Sequence, residues 1–137
     1  AAIRDQRHSI HRISAERIRD ELTRMLTEGH PRRAFELLYD TGLLRELLPE
    51  IEAMRGVEQP PEYHPEGDVW THTLLMLDAL EHPSAELAWG VLLHDSGKPP
   101  TSRRAPDRIR FDGHVDAGVR IARDILTRLR FSQEQTE

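Results

Sequence analysis

An all-α fold is what this 137-residue sequence predicts, and three observations predict it. Apolar residues recur at helical spacing along most of the chain. Serine, aspartate and proline open those stretches, and glycine or proline closes them. Aromatic residues make up only 5% of the chain, with 37% apolar and 31% charged, which suits a modest aliphatic core and excludes a large aromatic-rich β-sandwich. The length fits one domain.

Each element follows from that pattern. In ISAERIRDELTRMLTEGH, residues Ile18, Leu22, Met25 and Leu26 form one apolar stripe, with Ser14 as N-cap and Gly29 as terminator. Pro31 suits the first turn of a second helix, PRRAFELLYD, ended by Gly42. A short third helix around LLRELLPEI breaks near Pro49. The stretch EQPPEYHPEGD carries three prolines and a glycine, so it reads as a loop. From Asp68, VWTHTLLMLDALEH turns Leu74, Leu77 and Leu80 inward. Ser84 caps SAELAWGVLLHD, whose expected inner face is Leu87, Val91 and Leu92 with Ala88 beside them. Gly97 and the Pro99–Pro100 pair should end that helix. TSRRAPDRIRFDG is irregular, with room for a small hairpin that turns Ile109 and Phe111 inward. A final helix, VDAGVRIARDILTRLR, is expected to bury Val119, Ala122, Ile125 and Leu129.

Composition excludes several function classes. With no cysteine, disulfides and thiolate zinc sites are impossible. No apolar run approaches the roughly 18 residues that cross a bilayer. The opening AAIRDQRHSI has no apolar segment of the secretory kind, so a cytoplasmic location is expected. A net charge of −5 argues against a domain-wide basic surface for nucleic acid. Of the 19 basic residues, 18 are arginine and only Lys98 is lysine. Eight histidines are an excess for this size, and five of them (His64, His72, His82, His94, His114) lie between residues 64 and 114.

The adjacent His94–Asp95 ends an apolar helix and is followed by Ser-Gly-Lys-Pro. A histidine at a helix C-terminus also serves a structural end, because its cation meets the negative pole of the dipole. Three neighbours favour chemistry. His72 lies four residues after Asp68 and two before the inward Leu74; His114 opens the last helix behind a glycine; and the apolar run before His94 delivers the pair to a buried place. Two imidazoles and a carboxylate make a nitrogen–oxygen site of the kind that holds Mn, Fe, Ni, Co or Zn. His64 and Asp68 are further candidates to line it, whereas His82 reads as a loop residue and His8, His11 and His30 as solvated positions.

The order His72 … His94-Asp95 resembles the HD superfamily of metal-dependent phosphohydrolases. The strings YHPEGDVWTHTLLMLD, LLHDSGKP and GHVDAGVRIARDILTRLRFS, preceded by ISAERIRDEL, are more specific. They resemble the HD-containing part of the bacterial tRNA nucleotidyltransferase (CCA-adding)/poly(A) polymerase family, from about Ile13 to Ser132. That resemblance implies an HD-type helical bundle, truncated before its last helices and preceded by short neck-like helices. It divides one compact unit into a neck-like segment at residues 1–50, a Pro-rich loop at 51–67 and a partial HD domain at 68–137. It implies a divalent metal ion (Mn, Ni, Fe, Co, Mg or Zn) on His72, His94 and Asp95. It assigns catalytic roles to Asp95, Lys98 and His114, and phosphate contacts to Lys98, Arg103, Arg104 and His114. The substrates implied are phosphate esters such as 2′,3′-cyclic nucleotides or nucleotides, with the metal polarising a phosphoryl oxygen and activating water.

The sequence departs from the family in three respects. It has no Gly-Gly-x-Val-Arg-Asp or Asp-x-Asp segment, so nucleotide addition is not expected of it. Ser96 stands where an aliphatic residue usually follows the His-Asp pair. The superfamily's last ligand, an aspartate on a later helix, has no counterpart before the closing FSQEQTE, which leaves that position to water or a neighbouring subunit. The chain is therefore read as an excised fragment or a reduced relative that self-associates as a homo-oligomer, with exchanged helices as one route. The competing reading is a non-catalytic helical module that binds tRNA or serves dimerisation. Neither reading involves a membrane.

Overall fold

A computed structural model of the chain describes residues 14–58, 67–101, 103–104, 109–110 and 113–131. Its helices are α1 (Ala15–Thr27), α2 (Pro31–Asp40), α3 (Leu43–Leu47), α4 (Pro49–Glu52), α5 (Val69–Ala79), α6 (Ala85–Leu93), α7 (Lys98–Thr101) and α8 (His114–Arg128). The fold is all-α. Among the described residues, extended structure is confined to β1 (Arg103–Arg104) and β2 (Ile109–Arg110), which pair antiparallel with Arg103 opposite Arg110. The expected hairpin therefore forms, while the side chain of Ile109 and all of Phe111 lie outside the described residues.

The helices begin and end where local chemistry directs. Ser14 accepts from the Arg17 N–H and Ser84 from the Leu87 N–H, so both caps act as expected. Pro31 opens α2, and Gly29 and Gly42 follow α1 and α2 with left-handed backbone. Pro49 separates α3 from α4 by standing at the first position of the latter. Helix α4 runs through Glu52, so residues 51 and 52 are helical.

The core is aliphatic with two tryptophans. Phe35, Leu44, Leu48, Ile51 and Met54 from the N-terminal segment meet Leu74 and Leu77 of α5, all at most 1% exposed. Leu22 and Leu26 of α1 face α6, and Leu92 and Ile125 extend the same core toward α8. Each such side chain contributes roughly 2 kcal/mol of transfer free energy. Longer reaches tie the N-terminal helices to the last one. Arg128 donates to both carboxylate oxygens of Glu50 at 2.8 and 2.9 Å and to the Leu47 carbonyl at 3.2 Å. Burial pushes the Glu50 carboxyl up, but the hydrogen bond and charge of Arg128, together with a backbone hydrogen bond, outweigh it and hold the pKa below its ordinary value.

Three expectations require correction. Leu87 is 50% exposed, and Trp89 takes the inward place on α6, its indole N–H donating to Thr23 Oγ1 at 2.9 Å. Residues 87–93 are apolar on nearly every side, so periodicity could not set the helix phase; the tryptophan's size and its one polar partner did. Val119 is 47% exposed because Ala117 and Gly118 carry the contact of α8 with the turn before α7. Pro99 and Pro100 do not end a helix but lie within the single turn of α7, where early positions need no N–H donor. The reason for the close α7–α8 approach is Gly97. A Cβ there would stand 2.0 Å from the His114 carbonyl oxygen and 2.5 Å from the Gly118 nitrogen. Only a residue without a side chain fits.

Candidate metal centre

Three elements converge on one point. His72 lies one turn into α5, His94 caps the C-terminus of α6, and Asp95 opens the turn that leads to α7. One ligand atom from each of His72, His94 and Asp95 lies within 4.8 Å of the other two. The two imidazoles stand 6.0 Å apart between ring centroids, tilted by 57°. Asp95 is buried, His72 half-buried and His94 exposed on one side.

The chemistry of these atoms suits a cation. The Val91 carbonyl accepts from His94 Nδ1, so that nitrogen carries a proton and Nε2 is the one turned toward Asp95. A backbone acceptor on the remote nitrogen is the common means of orienting a metal-binding imidazole. His94 Nε2 lies 2.9 Å from Asp95 Oδ2. Two ligands about 2.1 Å from one ion and at right angles to each other stand about 3 Å apart, so this spacing fits a shared divalent ion. The same spacing fits a shared proton. The hydrogen bond to Asp95 accordingly raises the His94 pKa, against the opposing effect of burial. Burial pushes the Asp95 carboxyl up, but His94 and Lys98 outweigh it and bring it down to about 2.

Lys98 is 8% exposed, with Nζ 3.3 Å from Asp95 Oδ2. The lone lysine of the chain thus stands behind the aspartate. His114 is half-buried at the start of α8, its carbonyl packed on Gly97. Arg103 and Arg104 form β1, and their side chains, like the whole of His64, lie outside the described residues. Asp68 does not turn to the metal centre. Its Oδ1 accepts from the Thr71 N–H at 2.7 Å and its Oδ2 from the Gly56 N–H at 2.6 Å. Ser96 is buried, and its hydroxyl meets no hydrogen-bond partner among the described residues, nor does that of Thr73.

A groove of about 360 Å³ runs between α6 and α8 and reaches the centre at His94. Its walls include Trp89, Leu93, Val115, Val119 and Phe131. Sequence reasoning missed this groove, because it follows from the phase error at Leu87 and Val119. The one legible signal was the excess of apolar residues around both helices.

Residues 67–136 match the family described as "HD domain", which spans all three ligand positions. The chain belongs to the HD-domain family. HD domains are metal-dependent phosphohydrolases, in keeping with the His/Asp cluster here. Residues 1–55 match a second family, described as "Probable RNA and SrmB- binding site of polymerase A". The combination is that of the multifunctional CCA proteins. One such protein from Halorhodospira halophila is 48% identical over 117 residues, covering 84% of this chain and 28% of the relative. Another from Acidovorax sp. (strain JS42) is 40% identical over 124 residues, covering 89% of this chain and 29% of the relative. A third from Pseudomonas savastanoi pv. phaseolicola is 36% identical over 127 residues, covering 91% and 31% respectively. The chain therefore spans under a third of the length of these relatives. Among the described residues, no helix is long and apolar enough to cross a membrane.

Proposed function

We propose that this HD domain hydrolyses phosphate esters, with 2′,3′-cyclic nucleotides and nucleotides as its substrate class, using a divalent ion held by His72, His94 and Asp95. The observation that carries this reading is the convergence of the three ligand atoms within 4.8 Å, two of them from a stretch whose Gly97 packs directly on α8. A bound divalent ion supplies Lewis acidity toward a phosphoryl oxygen and lowers the pKa of water. The chain's own residues do the rest. The Val91 carbonyl orients the His94 ring from its remote nitrogen. Asp95, held ionised at neutral pH, is ready to accept a cation without first losing a proton. Lys98 lends positive charge to that edge of the site, while His114, Arg103 and Arg104 are the proposed phosphate contacts.

The test is metal analysis of the purified chain together with hydrolysis of 2′,3′-cyclic AMP. His94→Ala is expected to lose bound metal and at least about 100-fold in turnover, in line with loss of a metal ligand or its orienting shell. Equal turnover by wild type and His94→Ala would refute the reading.

A second reading is favoured by the match of residues 1–55: a helical module that binds tRNA without chemistry. Metal-independent tRNA binding that weakens steeply with salt, alongside absent turnover, would select it. Under either reading the open groove and the exposed Val115 (65%) and Val119 support self-association of the chain as a homo-oligomer.

A further inference from the structure

Asp68 does more than cap a helix. A helix of the length of α5 leaves its first N–H groups without partners inside the helix. Here they are met from two directions. The Val69 N–H donates to the Val57 carbonyl at 2.9 Å and the Trp70 N–H to the Met54 carbonyl at 3.2 Å. The Thr71 N–H goes to Asp68 Oδ1, and the His72 N–H to the Asp68 carbonyl at 3.0 Å. Asp68 Oδ2, an atom no cap requires, reaches back to the Gly56 N–H. That N–H is presented because Gly56 has a φ of +78°, a backbone that favours glycine.

The turn on the far side of this clamp is itself rigid. Met54 is fully buried. The Arg55 guanidinium lies 3.5 Å from the centre of the Tyr39 ring, and Tyr39 meets Trp70 edge-on at 6.4 Å. One carboxylate thus joins the end of the N-terminal segment to the first turn of the helix that carries His72.

We infer that Asp68 is a positioning residue for the metal centre, holding His72 in register through its simultaneous hydrogen bonds to Thr71 and Gly56. The inference rests on the metal-centre reading of His72, His94 and Asp95, and it assigns Asp68 no contact with metal or substrate. Asp68→Ser separates the two duties, because a serine hydroxyl still caps Thr71 but is too short to serve Gly56 as well. Asp68→Asn, nearly isosteric, offers a single acceptor oxygen for two donors. Ser14→Ala, which removes the cap of α1 far from the site, is the control for a merely structural loss.

The measurements on the full chain are Co²⁺ affinity, the visible absorption of the bound Co²⁺, and the ¹H–¹⁵N ring resonances of His72 without metal. Asp68→Ser is expected to bind Co²⁺ about 10- to 100-fold more weakly, the usual effect of losing an outer partner of a metal ligand. Its absorption band and its His72 resonances should both shift, with Asp68→Asn intermediate. Ser14→Ala should leave all three unchanged while lowering thermal stability. Wild-type affinity, band and resonances in Asp68→Ser would overturn the inference and leave the metal centre standing. If wild type takes up no Co²⁺ yet the His72 resonances move in Asp68→Ser, the metal reading fails while the positioning role holds.

Discussion

The two helices that flank the metal centre are built on different terms. Helix α5 has a broad buried face and a fixed start: Val69, Trp70, Thr73, Leu74 and Leu77 are buried while Leu75 and Met76 stay exposed, and its N-terminus is bonded to the preceding turn. Helix α8 has a narrower buried face, with three buried residues of fifteen. Ala117, Gly118 and Ile125 pack inward, while Val115 and Val119 face the groove. A ligand such as His72 needs a fixed backbone, and a broad buried face with a bonded N-terminus provides one. A helix that meets substrate or partner needs an accessible face, and α8 retains it.

That contrast can be broken at its tightest contact. Gly97→Ala is expected to cost about 3 kcal/mol or more, because the methyl group meets backbone atoms that cannot rotate away. Chemical denaturation of the metal-free chain measures this, and a cost below about 1 kcal/mol would show that α8 slides freely over the turn. Next in size is a substitution on the enclosed side. Leu77→Ala should cost about 2–5 kcal/mol, whereas Val119→Arg should change stability by no more than about 0.5 kcal/mol and reduce self-association in light scattering. Equal costs would erase the distinction between the two helices.

The smallest effect is electrostatic. The raised His94 pKa means that its pairing with Asp95 stabilises the metal-free fold below the ordinary histidine value of 6.5, and that this part fades as pH rises through the raised value. The lowered Asp95 pKa means that its part is present above the ordinary 3.8 and fades as pH falls toward about 2. The pair therefore contributes most between about pH 4 and 6.5. Denaturation at several pH values, with His94→Ala losing the excess stability in that window, checks the sign. Metal uptake should run the other way and improve as pH rises, because the ion displaces the His94 proton.

Much of the site was legible before any coordinates. His72, His94 and Asp95 stood out because helical spacing and a C-terminal position carry chemical information in one dimension. The caps Ser14 and Ser84 were equally plain, being local hydrogen bonds three residues long. Asp68 was read as a neighbour of the site, and its tether to Gly56 was invisible because the eleven residues between them carry no periodic signal. Ser96 was recognised as a departure from family pattern, but its burial with no hydrogen-bond partner among the described residues depends on what α8 brings against it.

The sequence by itself determined the helical class, the order of the elements and the three convergent residue types, because propensity, capping and hydrophobic period are local properties of the chain. Only the tertiary structure decided which face of α6 and α8 turns inward, how closely α8 approaches Gly97, and that one carboxylate bolts α5 to the turn before it. Those outcomes depend on volumes and backbone groups that meet across long stretches of sequence. No local pattern encodes such a meeting until the chain has closed on itself.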